Sequence, residues 1–218
     1  MYHILKDEKF IITLKSKCSN IMGQLVKMIN DDIYLQVRFS LVGSGKRNLI
    51  TQNSNEPVDL DYNLYIEAWD QDEIDIDDCK WIKNYIKDCF NKVLRKNGLK
   101  DCKDSKTALT THLETLYGFS IKYSIDLCIV LETEINWHRL VHKKTGKDTN
   151  DQWYWNKGGD FTEIHEREEW IKRNKLWDEV EQTYLNKKNM YLTRNDYNHP
   201  SYVCYIESIN EVYNKYSG

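Results

Sequence analysis

Residues 58–69, VDLDYNLYIEAW, alternate apolar and polar side chains over a full strand length. Successive residues of a strand point to opposite faces. Asp59 and Asp61 therefore stand side by side, with Leu60 and Tyr62 on the other face. Two carboxylates held that close repel each other unless a positive charge lies between them, and a divalent metal is the usual one. An apolar run upstream of this strand ends in Gly43-Ser44, and a polar loop follows. This stretch, 41–66, is the feature around which the rest of the chain has to fold.

The chain has 218 residues, enough for one compact domain or a domain with a helical extension. Fifteen tyrosines and seven tryptophans can fill a large core. Two prolines and nine glycines argue against linkers and low complexity. A net charge of -3 gives no global pull toward nucleic acid or anionic membrane. None of the six cysteines forms a CxxC pair, so a zinc site is not expected and reduced thiols are. The first residues read as no secretory signal, and no apolar run approaches the length of a membrane span. The expectation is a cytoplasmic protein.

In chain order, Phe10–Leu14 reads as a short strand or edge. Ser19-Asn20 is expected to cap a helix that runs to about Asn30, and 33–42 alternates as a strand. After the 58–69 strand comes an acidic run with six carboxylates, then a helix over 76–97 with an apolar stripe through Trp81, Ile82, Tyr85, Ile86 and Phe90. Segments 107–114 and 119–131 read as strands, and the second carries Asp126 within an apolar run. Periodicity is helical from Asn136 onward, with helices expected over 163–186 and from Ser201. The order predicts an α/β (α+β) fold: a mixed sheet flanked by helices with a helical C-terminal part. The expected division is a core over 1–135 and a helical subdomain over 136–218.

GSGK at 43–46 is not a P-loop. Ser40 and Arg47 stand where that motif needs Gly and Ser or Thr, and the following segment reads as a strand. The zinc-helix motif is absent too, because Glu169 stands where a second His is required. The combination Val42-Gly43-Ser44, then Asp59-Leu60-Asp61, then Asp126 on a later strand resembles the polymerase-beta-like nucleotidyltransferase superfamily over about residues 20–131. The loop of 14 residues between Ser44 and Asp59 lies at or beyond the long end of that family's spacing. The pair TALTTHLE and FSIKYSIDLCIV looks somewhat like the oligoadenylate-synthase and bacterial cyclic-oligonucleotide-synthase branch.

The resemblance implies a nucleotidyltransferase-type fold. It implies transfer of a nucleoside monophosphate from an NTP, ATP or GTP first, to an acceptor hydroxyl with release of pyrophosphate. It implies two Mg2+ (or Mn2+) ions held by Asp59, Asp61 and Asp126, and phosphate binding at Gly43 and Ser44; Lys46 and Arg47, just past that turn, are candidates by position to neutralise phosphate or the acceptor. The acceptor stays open among a small molecule, a nucleotide, an RNA end and a protein. A catalytically inactive module of the same fold, binding nucleotide or a protein partner, is the alternative. Thr107, Thr110, Lys172 and Lys175 are further candidates for the site.

Overall fold

The structure is a computed structural model, and it describes residues 1–133, 136–196 and 199–218. The strands are β1 (Tyr2–Ile4), β2 (Leu35–Leu41), β3 (Thr51–Asn53), β4 (Val58–Trp69), β5 (Lys103–Asp104), β6 (Leu109–Thr110), β7 (Glu114–Thr115), β8 (Lys122–Glu132), β9 (Trp137–Lys143) and β10 (Gln152–Lys157). The helices are α1 (Glu8–Asn30), α2 (Gly43–Arg47), α3 (Cys79–Lys96), α4 (Thr162–Arg173), α5 (Trp177–Thr193) and α6 (Ser201–Tyr216). These form two compact units, one of 7–46 and 57–158, the other of 1–6, 47–56 and 159–218.

The first unit carries a mixed sheet in the order β10-β9-β8-β4-β2. β4 and β8 run parallel, and the other neighbours along this path are antiparallel. The short strands β6 and β7 pair with β8 as well. The alternation of β4 works as read from the sequence: Val58, Leu60, Tyr62, Leu64 and Ile66 are buried, while Asp59 is exposed and Asp61 and Asn63 half-buried. On the buried side, the Tyr62 hydroxyl lies 3.2 Å from Ser19 Oγ of α1. α1 packs against α3 and β2.

Three expectations need correction. α1 starts at Glu8, not near Ser19. Asp7 accepts a hydrogen bond from Phe10 N at 2.9 Å and caps it, and Phe10, Leu14, Cys18, Ile21, Leu25 and Ile29 form one buried stripe at helical spacing. The run Phe10–Leu14 is thus a helix and not a strand. Gly43-Ser44 opens the single helical turn of α2, where the sequence suggests that a polar loop follows directly. The chain does not become helical at 136: Trp137–Lys143 and Gln152–Lys157 are antiparallel strands of the sheet, and helix begins at Thr162.

The second unit packs α4, α5 and α6 around Leu49, Ile171, Val180, Tyr184, Cys204, Tyr205, Ile209 and Val212, and β1 and β3 form a two-stranded ribbon within it. Glu168 is buried there. It accepts from the Tyr205 hydroxyl and pairs with Lys172 at 2.7 Å. None of the helices is long and apolar enough to cross a membrane, among the described residues.

Candidate active site

The parallel register of β4 and β8 sets Asp59 beside Ser124 and Asp61 beside Asp126. All four side chains share one face, because each strand places every second residue there. The sheet thus brings together the three aspartates singled out in the sequence, although more than sixty residues separate the second from the third. Two hydroxyls hold them: Ser124 Oγ donates to Asp59 Oδ1, and Thr110 Oγ1 donates to Asp126 Oδ1 at 2.5 Å. Thr110 sits there because β6 pairs it directly with Asp126.

Gly43 closes the site from another element. Val42 N donates to Asp61 O at 2.9 Å, which ties the entry of α2 to β4. Gly43 has a φ of +62°, and a β-carbon built on it would run into the Asp61 carboxylate. Only glycine combines that backbone with that approach. Ser44 follows, half-buried, and Lys46 is exposed at the far end of the turn.

The electrostatics are those of a carboxylate cluster with too little positive charge. Burial, with Asp126 and then Asp59 adding negative charge, pushes the Asp61 carboxyl up to about 6, against the opposing charge of Arg139. Asp126 is also raised, by burial first and by Asp59, despite the Thr110 hydrogen bond. Among the described residues no group of three or more His, Cys, Asp or Glu side chains stands in a metal-holding arrangement. Asp59 and Asp126 are instead turned onto their hydroxyl donors. The donor set still suits Mg2+ or Mn2+. It consists of carboxylate oxygens on neighbouring strands, and these charges raise one another until a cation neutralises them.

Some groups at the site went unread in the sequence. Ser124 lies two residues before Asp126, on the same face, and strand alternation alone would have found it. Arg139 lies on β9 opposite Val130 and acts on Asp61, but reading that segment as helix hid it. The Asn63 Oδ1 and Arg139 Nε atoms are buried with no hydrogen-bond partner.

No family model matches the chain, and no curated relative does. Solved structures do. CdnC of E. coli MS115-1 with ATP matches at a TM-score of 0.58 and 14% identity, over 96% of this chain and 62% of that one. The cyclic AMP-GMP synthase DncV of Vibrio cholerae matches at 0.55 and 12% in complex with nonhydrolyzable GTP, over 85% of this chain and 61% of that one. With the linear intermediate 5' pppA(3',5')pG it matches at 0.54 and 12%, over the same shares. This chain spans about three fifths of the length of these proteins. It has their nucleotidyltransferase-type fold.

Proposed function

We propose that this protein is a metal-dependent nucleotidyltransferase that moves a nucleoside monophosphate from an NTP to an acceptor hydroxyl and releases pyrophosphate. The observation that carries the proposal is the register of β4 and β8, which sets Asp61 against Asp126 with Asp59 alongside and Gly43 pressed onto Asp61. The fold is shared with proteins solved with ATP and with nonhydrolyzable GTP, which supports an NTP as donor.

Asp59, Asp61 and Asp126 would hold the two Mg2+ or Mn2+ ions, which supply charge neutralisation at the attacking and leaving oxygens. The residues of this chain do the positioning. Asp126 receives the acceptor hydroxyl and its proton, and Thr110 keeps that carboxylate aimed. Ser124 holds Asp59 on the shared face. Gly43 leaves room for phosphate against the backbone, Ser44 offers a hydroxyl donor, and Lys46 offers a charge from the end of α2. Arg139 balances the carboxylates from the β9 side.

One observation favours the second reading, a nucleotide-binding module without turnover: Asp59 and Asp126 are engaged by hydroxyls and not gathered around one point. The two readings separate in one assay. Each labelled NTP is incubated with Mg2+ or Mn2+ and a panel of nucleotide, small-molecule, RNA and protein acceptors. Pyrophosphate release that disappears in Asp59→Asn and Asp61→Asn supports the enzyme. Metal-dependent NTP binding with no product across the panel supports the module.

A further inference from the structure

On the other face of the sheet from Asp126, a chain of buried ionic groups runs from α3 to the loop before β10. His142 is only 6% exposed. Its Nδ1 lies 2.8 Å from Asp104 Oδ2 and its Nε2 lies 3.0 Å from Asp151 Oδ2. The other Asp104 oxygen lies 2.6 Å from Nζ of Lys83, a lysine only 2% exposed. Lys83 also donates to Ser105 O at 2.9 Å, His142 N donates to Lys106 O at 2.7 Å, and Lys144 Nζ reaches Asp104 O at 2.5 Å. The imidazole stacks on Trp153 at 4.3 Å, and Lys80 Nζ lies 4.9 Å from the centre of that indole. Asp151 is fixed in turn by Thr145 N at 2.7 Å. Burial alone would raise Asp104, yet its bonds to Lys83 and His142 hold it below the ordinary carboxylate range.

Five of these contacts end on residues 104–106, the last residue of β5 and the first two of the turn that leads to β6. These strands have two residues each. Asp104 pairs with Leu109, and Lys103 pairs with Thr110. Leu109 is opposite Leu127, on the helix side, and Thr110 is opposite Asp126, on the open side. A one-residue slip in a strand exchanges its two faces. A slip of β6 would carry Thr110 away from Asp126 and bring Leu109 toward the carboxylates. The ladder of these two-residue strands is short, and beyond it β6 is tied to β8 by Thr111, whose N donates to Ile125 O at 3.0 Å and whose Oγ1 accepts from Ile125 N at 2.9 Å.

We propose that His142 is a positioning residue: with Lys83, Asp104 and Asp151 it locks the register of the β5–β6 hairpin, and the hairpin holds Thr110 on Asp126. The proposal rests on the nucleotidyltransferase reading for its effect on turnover. The lock itself is a property of the fold and can be read without turnover.

The test uses the full chain with His142→Gln, Thr110→Val, and both together. The first readout is pyrophosphate release from ATP and GTP with Mn2+, alone and with the nucleotide, small-molecule, RNA and protein acceptor panel above. The second is hydrogen–deuterium exchange over residues 103–112. His142→Gln is expected to lower kcat by between about tenfold and a hundredfold, the scale of a small misplacement of a reacting group, with little change in the KM for NTP. Thr110→Val is expected to do the same, and the double variant to be no worse than the poorer single one, because both act on one contact. Exchange over 103–112 is expected to rise in His142→Gln while β2 and β4 keep their protection.

Multiplying effects in the double variant would overturn the proposal, and so would faster exchange over 103–112 with wild-type kcat. If His142→Gln does not fold, Lys83→Met, Asp104→Leu and His142→Leu together replace the buried ionic triad by apolar groups, a change that folds tolerate. It should keep the melting temperature near wild type and lose turnover; intact turnover would overturn the lock. If the wild type itself releases no pyrophosphate, the functional reading falls. The exchange result alone then decides the lock: faster exchange in His142→Gln sustains it and unchanged exchange refutes it.

Discussion

At the scale of single residues, the candidate site is under electrostatic strain that a substitution can relieve. The Asp61 carboxyl is pushed up to about 6 by burial and by Asp126 and Asp59. A carboxyl raised in the folded state above its unfolded value favours folding fully below the unfolded value, and that contribution is lost as pH rises through the folded one. Above about pH 6 the metal-free protein is therefore destabilised by ionised Asp61. Asp61→Asn should raise metal-free stability at pH 7–8 by on the order of 1–3 kcal/mol, and the gain should fade toward pH 4. Urea melts at both pH values check this; an equal gain at both would point to packing and not charge. Gly43→Ala is expected to act in the opposite sense. A left-handed backbone costs an L-residue roughly 1–2 kcal/mol, and the added methyl collides with Asp61. Turnover should fall by at least tenfold, a loss of about 1.4 kcal/mol of transition-state stabilisation, and pyrophosphate assays measure it directly. Strict alternation around Asp59 and Asp61 made these carboxylates legible in the sequence. Gly43's positive φ and Ser124's role were not, because both depend on what the neighbouring strand brings alongside.

At the scale of elements, legibility followed how completely each segment is covered. β4, β8 and α3 bury one whole face, and their patterns state it. β10 does not: QWYWNK is half-buried or exposed throughout, and its three aromatics are consecutive, so the short sheet edge shows no apolar-polar alternation and reads as an aromatic run. The start of α1 was missed for a different reason. Its exposed side is rich in Lys, Ser and Thr, so the apolar positions read as one short cluster until the Asp7 cap is seen. The long α1 makes a sharp prediction. Leu14→Ala, at a fully buried position, should cost about 2–5 kcal/mol in a urea melt, while Ile12→Ala, at 67% exposure, should stay within about 0.5 kcal/mol. A short strand at 10–14 would be expected to respond to both.

At the scale of the whole molecule, all three aspartates and the Gly43-Ser44 turn lie in the unit that carries the mixed sheet. The helical residues from 159 onward have a core of their own around Ile171, Tyr184 and Ile209. The acceptor was not legible in the sequence for a physical reason. Metal and phosphate chemistry demands particular groups at fixed spacing, whereas an acceptor is recognised by shape and by scattered polar contacts that leave no pattern. The most direct test of the account is a crystal structure with Mn2+ and a nonhydrolysable NTP analogue, with the metal located by its anomalous scattering. The account predicts Mn2+ within about 2–2.5 Å of carboxylate oxygens from Asp59 and Asp61, with Asp126 on the same metal cluster and the analogue's phosphates against Gly43 and Ser44. Manganese absent from these aspartates, or bound with Asp126 more than about 8 Å away, far beyond the reach of metals spaced roughly 3.5–4 Å apart, would contradict it.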